Sequence, residues 1–490
     1  MQTTPHRMFI DGRWVEARSG RTYDLLNPST GEVCASVADG GPEDVAAAVA
    51  AARRSFDQGE WRRRPVADRA AVVAAIGRGL AERRELLTEI LVTAHGAEHA
   101  TLGVNLDDPI DFAGRYAEAA VTFPLDEAAL PFIGAPPAIG PAMVVNGMTH
   151  RQPAGVCGLI PTWNFPLFIS VNKLAPALAM GCSVVVKPSP WGPLPDLVLA
   201  EILAELDVPA GVVNVVTGSS PATGQALVEH PDVDMVSFTG SAAVGRQILR
   251  SAADTMTRVH LELGGKSALI VCDDAPLDDV VGEAALAAWF RAGQACALKT
   301  RVLVPEHLHD ELVAKMVDLV AAMVTVGDTS DPAVLLGPLI RPERRDAVEA
   351  MIATAQDEGA KLATGGRRPA GLDDGWFLEP TVFAGVRSSM QIAQEEVFGP
   401  VQCVMPYADE AEAVRIANDS KYGLSGSVYS ADVARAIGIA KQLRTGQVTI
   451  NGGLHPLLPF GGFKQSGVGR EMIAAGLETF TELQAISWRS

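Results

Sequence analysis

Residues 155–187, GVCGLIPTWNFPLFISVNKLAPALAMGCSVVVK, set the pattern by which the rest of the chain is read. A short apolar run, Val156 to Ile160, stops at Pro161; a helical segment follows, and a second run, Ser183 to Lys187, stops at Pro188. The same texture recurs at Val212 to Thr217, Met235 to Thr239, Ser267 to Val271 and Arg301 to Pro305, with Leu197 to Leu206 and Pro221 to His230 as helical crossovers. Apolar strands alternating with helices predict a parallel α/β sheet covered on both faces. A second α/β passage runs from about Leu312 to Gly446 and contains Gly365-Gly366, Thr381-Val382 and Val401 to Met405. Two α/β domains sharing a cleft is the economical reading. Ligands are then expected just beyond the carboxyl ends of the strands.

Outward from that core, MFIDGRWVEA places two alternating apolar runs around Asp11-Gly12, the signature of a tight hairpin. From Pro42 to Ala94, spacings of three to four (Val45, Val49, Ala52, Phe56; Val72, Ile76, Leu80; Leu87, Ile90, Leu91) predict two or three amphipathic helices. Thr479 to Trp488 alternates like a strand. A chain of 490 residues suggests two or three domains. Its 58 acidic and 40 basic side chains give a net charge of −18, which disfavours nucleic acid and anionic membrane surfaces as partners. The densest basic stretch, Arg62 to Arg64, does not offset this. Met1 to Arg13 lacks the apolar run of a signal peptide, and no stretch of about 18 apolar residues could span a bilayer, so a cytoplasmic protein is expected. Six scattered cysteines, with no CxxC pair and no zinc-like Cys/His spacing, indicate neither a disulfide framework nor a metal.

Four short motifs carry polar chemistry at strand or helix ends. Gly293-Gln294-Ala295-Cys296 offers a nucleophilic thiol, which acts as its thiolate. Leu261-Glu262-Leu263-Gly264-Gly265-Lys266 sets a carboxylate between leucines, where apolar flanks raise its pKa toward the range useful to a general base. Thr162-Trp163-Asn164-Phe165-Pro166 follows a strand, so the Asn164 amide is placed to donate to an oxyanion. Phe238-Thr239-Gly240-Ser241-Ala242-Ala243-Val244-Gly245 is a strand end opening a helix whose N–H groups suit a pyrophosphate, although it is not GxGxxG. Each alone is a weak signal: the first three also read as a buried inert thiol, a solvated strand-end Glu and a turn, and the fourth is a poor match to the dinucleotide fingerprint.

Together, in this order, the motifs resemble the aldehyde dehydrogenase superfamily. Further blocks with the same resemblance stand at Val186-Lys187-Pro188-Ser189, Gly337-Pro338-Leu339-Ile340, Glu395-Glu396-Val397-Phe398-Gly399-Pro400 and Pro459 to Gly467, so that it spans nearly the whole chain. The resemblance implies a Rossmann-like cofactor domain (1–120 and 146–262), a second α/β catalytic domain (263–455) and a small β oligomerisation arm (121–145 and 470–490). It implies oxidation of an aldehyde to the acid with NAD through a thiohemiacetal and a thioester on Cys296, with Asn164 holding the oxyanion and Glu262 activating water. Lys173 and Glu471 match a proton path behind that base. Ile160, Pro161, Trp163, Lys187, Ser189, Gly240, Ser241, Gly245, Leu263, Glu396 and Phe398 match the cofactor site. Pro190 stands where many NAD-preferring members have a Glu, which leaves NADP open.

Near the aldehyde entrance the resemblance places Phe165, Ile169, Asn172, Phe290, Arg291, His455, Leu457 and Leu458. The aromatic and leucine side chains would make an apolar tunnel for an aliphatic, aromatic or terpenoid aldehyde. Asn172, Arg291 and His455 could contact a polar tail or face solvent; for Arg291 the solvent-facing reading is expected, since arginine seldom buries unpaired. The C-terminal strand is expected to pair with a neighbouring subunit, giving a homodimer or homotetramer. A coenzyme-A-acylating semialdehyde dehydrogenase and a non-catalytic family member are the alternatives. The retention of Glu262 disfavours the first, and the presence of both Cys296 and Glu262 disfavours the second.

Overall fold

The computed structural model describes residues 5–134 and 143–489. The Asp11-Gly12 turn joins strands Met8–Ile10 and Arg13–Val15, with both turn residues at positive φ (53° and 73°), the conformation a two-residue hairpin needs. These strands edge an eight-stranded sheet. From the hairpin its order runs Val213–Val215, Ser183–Val186, Val156–Ile160, Met235–Thr239, Arg258–Glu262 and finally Gly467–Val468. The five central strands are parallel. Chain order reverses direction between Val156–Ile160 and Met235–Thr239, so the crevice expected at a topological switch lies beyond Ile160 and Thr239.

Helices cover both faces. Pro166–Met180 is buried at fourteen of its positions and packs beneath the sheet, which explains its nearly unbroken apolar sequence. The helical region predicted over Pro42 to Ala94 resolves into Pro42–Gln58, a single turn Glu60–Arg63, Val66–Glu82 and Arg84–His95. The second sheet has seven strands in the order Lys361–Thr364, Thr381–Ala384, Val401–Tyr407, Arg301–Pro305, Ala268–Val271, Ser425–Tyr429 and Gln447–Ile450, all parallel apart from the first. Each sheet has apolar clusters against its faces.

A small third sheet joins Thr481–Arg489 to Met143–Pro153, with Asp126–Ala128 and Phe132–Gly134 on the far side. The predicted C-terminal strand is therefore present, but its partner within the chain is the long strand Met143–Pro153. That strand runs from Met143 to Pro153, across residue 145, where sequence set the limit of the expected arm. The helix Ile473–Thr479, placed with the arm by sequence, instead packs on Asp108–Thr122 and Pro166–Met180. Residues 135–142 of the expected arm, residues 1–4 and Ser490 lie outside the described residues. Among the described residues no helix is long and apolar enough to cross a membrane.

Candidate active site

A cleft of about 820 Å³ opens at the switch point and reaches the second domain. Ile160, Pro161, Trp163, Lys187, Ser189, Gly240, Ser241, Leu263, Glu396 and Phe398 all line it, as do Asn164, Glu262 and Cys296. The expected cofactor and reacting residues thus converge, with one exception. Gly245 faces Leu263, and a Cβ there would fall 2.7 Å from that side chain, so this glycine serves close helix-to-sheet packing rather than lining the cleft. Ser241 caps the helix Ala242–Thr255 by accepting from Val244 N at 3.3 Å. The Lys187 ammonium donates to Pro188 O at 3.1 Å, and burial lowers its pKa to about 8.

Sequence did not single out several other lining residues: Trp191, Ser219, Ser220, Gln225, Arg341 and Arg344. Trp163 stands edge-on to Phe398 and tilts against Trp191, making an aromatic wall. Arg341 and Arg344 open an ordinary-looking amphipathic helix, and only the fold turns them toward the cleft.

Cys296 sits partly exposed at the end of the loop that follows Phe290–Gly293. Arg291, Ala292 and Gly293 take three successive positive φ values (51°, 49° and 69°), and this left-handed turn re-aims the chain. Only glycine fits at 293, where a Cβ would lie 1.9 Å from Gly399 O. The Gln294 amide stitches the loop to the segment Gly337 to Ile340, donating to Pro338 O at 3.3 Å and accepting from Ile340 N at 3.0 Å. Burial, then the nearby Glu396 and Glu262 carboxylates, push the Cys296 thiol up to about 12, against the Cys296 and Ala297 backbone N–H groups. The resting thiol is therefore neutral.

Asn164 is buried; its amide donates to Gln294 O at 2.9 Å, which uses one of its two N–H bonds and leaves the other free. Glu262 ends the strand Arg258–Glu262, and neither of its carboxyl oxygens has a hydrogen-bond partner. Burial, reinforced by the negative charge of Glu471, holds its pKa well above the usual carboxylate range. Glu396 is pushed up to about 7 by burial while accepting from Gly265 N at 3.0 Å. Behind Glu262, Lys173 and Glu471 form a buried ion pair at 2.5 Å.

The expected aldehyde entrance is only partly assembled. Phe165 and Ile169 are buried at the start of Pro166–Met180, and Phe290 and Leu457 are half-buried, whereas His455 and Leu458 are exposed on a surface loop. Asn172 is buried, accepting from Tyr116 Oη at 3.0 Å and donating to Phe168 O at 2.9 Å, so it is committed to packing. Arg291 overturns its expectation. It is fully buried, not solvent-facing, and its guanidinium donates to Asn164 O (3.1 Å), Gly96 O (3.0 Å) and His95 O (2.8 Å), with Glu98 as the charge opposite. The rule that arginine stays exposed fails here because three backbone carbonyls converge on a planar fork.

A sequence model described as the aldehyde dehydrogenase family matches residues 14–486. Over 98% of its length the chain is 41% identical to a 3-succinoylsemialdehyde-pyridine dehydrogenase of Pseudomonas sp, covering 97% of that protein. It is 39% identical to a betaine aldehyde dehydrogenase of Bacillus subtilis, over 98% of this chain and 96% of that one. Among solved structures, a Mycobacterium tuberculosis aldehyde dehydrogenase complexed with NAD+ superposes with a TM-score of 0.94 at 43% identity, covering 98% of each chain. The chain belongs to the aldehyde dehydrogenase family.

Proposed function

We propose that this protein oxidises an aldehyde to the carboxylic acid with NAD as hydride acceptor. The observation that carries the reading is the meeting of Cys296, Asn164 and Glu262 in one cleft with Lys187, Gly240 and Ser241. That cleft suits a dinucleotide. It offers a capped helix start for a pyrophosphate, Lys187 for a ribose, and Glu396 with Phe398 against the aromatic wall. NAD, when bound, supplies the hydride acceptor.

The Cys296 thiol gives up its proton to solvent as its sulfur adds to the aldehyde carbon, and the free N–H of the Asn164 amide, with the Cys296 backbone N–H, takes the oxyanion. Loss of hydride leaves a thioester. Glu262 removes a proton from water as the water oxygen adds to the acyl carbon, and departure of the thiol frees the acid. Lys173 and Glu471 sit behind this base as a charge reservoir. Because Glu262 is present, water rather than coenzyme A is the acyl acceptor. The substrate side, with Phe165, Ile169, Phe290 and Leu457, favours an aldehyde with an apolar body. Relatives named for betaine aldehyde and for a pyridine semialdehyde extend the candidates to polar-tailed ones. Arg291 and Asn172 are already committed to protein partners and do not bind a tail. His455 and Leu458 would contribute only at the mouth.

The first sheet with its N-terminal helices is assigned to the cofactor, the second to the catalytic loop, and the small sheet to subunit contact. Exposed Leu483, Ile486 and Trp488 on the outer strand support a homodimer or homotetramer. Six free cysteines fit a reducing, cytoplasmic compartment.

The test follows cofactor reduction with a panel of aliphatic, aromatic and amino-aldehydes, using NAD and NADP separately, with and without coenzyme A. Cys296→Ala should abolish turnover and keep nucleotide binding. Glu262→Gln should give one burst of reduced cofactor and then stall. Absence of reduction with every aldehyde would overturn the reading.

A further inference from the structure

Strand geometry brings a histidine to the buried side of Glu262. Residues two apart on a strand share a face, so His260 and Glu262 point the same way. Ser237, on the adjacent parallel strand, is the register partner of His260. The imidazole is buried among groups from several elements. Ser237 Oγ lies 2.9 Å from His260 Nδ1 and accepts from Lys173 Nζ at 3.0 Å, Glu471 Oε1 is 3.7 Å from Nδ1, and Glu262 Oε1 is 3.6 Å from Nε2. Arg470, on the same segment as Glu471, adds a further positive charge.

This cluster is not a satisfied structural network. His260 Nε2 and both Glu262 oxygens are buried without any hydrogen-bond partner, and they face each other. Room for them is kept by two glycines: a Cβ at Gly461 would fall 2.7 Å from Glu262 Oε1, and one at Gly469 would fall 2.4 Å from His260 Cδ2.

Donor counting bears on the tautomer. A lysine ammonium only donates, so Ser237 Oγ accepts from it and keeps its own hydrogen. Given to His260 Nδ1 at 2.9 Å, that hydrogen makes Nδ1 an acceptor and leaves the ring proton on Nε2, facing Glu262; this is the tautomer that donation to Glu262 requires. Burial lowers the His260 pKa to about 4, so the ring is neutral at neutral pH.

We propose that His260 is a positioning residue for the base Glu262, donating its Nε2–H to the carboxylate once that group is ionised, with Ser237 and Lys173 fixing the required tautomer. The proposal rests on the reading of Glu262 as the base. The two atoms stand 3.6 Å apart, and a small approach of the ionised carboxylate would bring them to hydrogen-bond length. A donor to the charged form lowers a carboxylate pKa, so His260 opposes the burial that would otherwise keep Glu262 protonated.

The test uses the full-length enzyme and the aldehyde it oxidises fastest. The burst of reduced cofactor reports acylation and hydride transfer, and the acid-quenched acyl-enzyme, measured by intact mass, reports hydrolysis. In His260→Ala the acid limb of the hydrolysis rate should move up by about one pH unit, a tenfold slowing below the limb, with the burst amplitude retained. His260→Gln, whose amide reaches the Nε2 position, should recover at least half of the shift. Ser237→Ala, which unlocks the tautomer, should give a smaller shift in the same direction and carries the test if His260→Ala does not fold. An unmoved limb in these variants, or a burst that falls in step with hydrolysis, overturns the proposal. Glu262→Gln separates the two readings. If it stalls at the acyl-enzyme while the His260 and Ser237 variants match the parent, His260 alone loses its role; if it turns over normally, Glu262 was never the base.

Discussion

Arg291→Met removes a buried guanidinium while keeping most of the apolar stem. The parent side chain satisfies the carbonyls of Asn164, Gly96 and His95 and faces the buried Glu98. Each carbonyl left without a donor costs about 1–3 kcal/mol, so three give roughly 3–9 kcal/mol before any water enters the gap. Glu98 keeps hydrogen bonds from Gly337 N at 2.9 Å and from Thr101, so its own penalty is partly offset. We therefore expect a loss of about 4 kcal/mol in unfolding free energy, toward the low end of that range once water enters the gap, measurable by urea titration of intrinsic fluorescence. The same substitution frees the Asn164 carbonyl from its anchor. Misplacing the Asn164 amide forfeits up to roughly 2.7–4 kcal/mol of oxyanion stabilisation, a turnover loss of about 10²–10³. A variant less than about 1 kcal/mol less stable than the parent, with unchanged turnover, would refute the bracing role.

Asp196 is buried with one carboxyl oxygen unpartnered, and burial lifts its pKa to about 7, opposed by Ser170. A folded pKa above the unfolded value of about 3.9 contributes stability that is fully present below pH 4 and lost as pH rises toward 7, up to about 4 kcal/mol. Asp196→Asn, neutral throughout, should therefore gain on the parent between pH 5 and pH 8 in urea unfolding; an equal difference at both pH values would contradict this. Pro190→Glu sets a carboxylate on the cleft wall beside Lys187 and Ser189. Repulsion of a 2′-phosphate by roughly 1–2 kcal/mol should lower the NADP-to-NAD ratio of kcat/KM about tenfold, and an unchanged ratio would show that Pro190 lies away from that ribose.

What sequence conveyed was whatever local pattern determines. The parallel core was legible because most of the β-branched runs stop at Gly, Pro or Lys, as Val156–Ile160 does at Pro161 and Ser183–Val186 at Lys187. Cys296, Glu262, Asn164 and Lys187 were legible because they stand beside those ends. Arg341 and Arg344 were not, since a helix reading RPERR looks solvated until a second domain is folded beside it. Arg291 misled for the opposite reason: its partners are backbone carbonyls, to which sequence gives no clue. His260 had a local signal, the HxE spacing on a strand. Its meaning depended on Ser237 lying directly across, which requires the register.

The acidic groups of the cleft share one physical cause, and this orders the events within it. Burial raises Cys296, Glu262 and Glu396 together, so each is harder to ionise than the same group in water. The charges are not independent, because each carboxylate that ionises raises the cost of forming the thiolate. A second anion beside Glu262 would be worse still, and Glu471 escapes this only because Lys173 neutralises it at 2.5 Å. The site therefore avoids holding Cys296 thiolate and Glu262 carboxylate at once in the free enzyme. Their roles separate in time: once sulfur has bonded carbon it can no longer form a thiolate, and Glu262 then ionises without a competing anion at Cys296. Hydrolysis, rather than acylation, is the step in which a donor to Glu262 has the most to contribute.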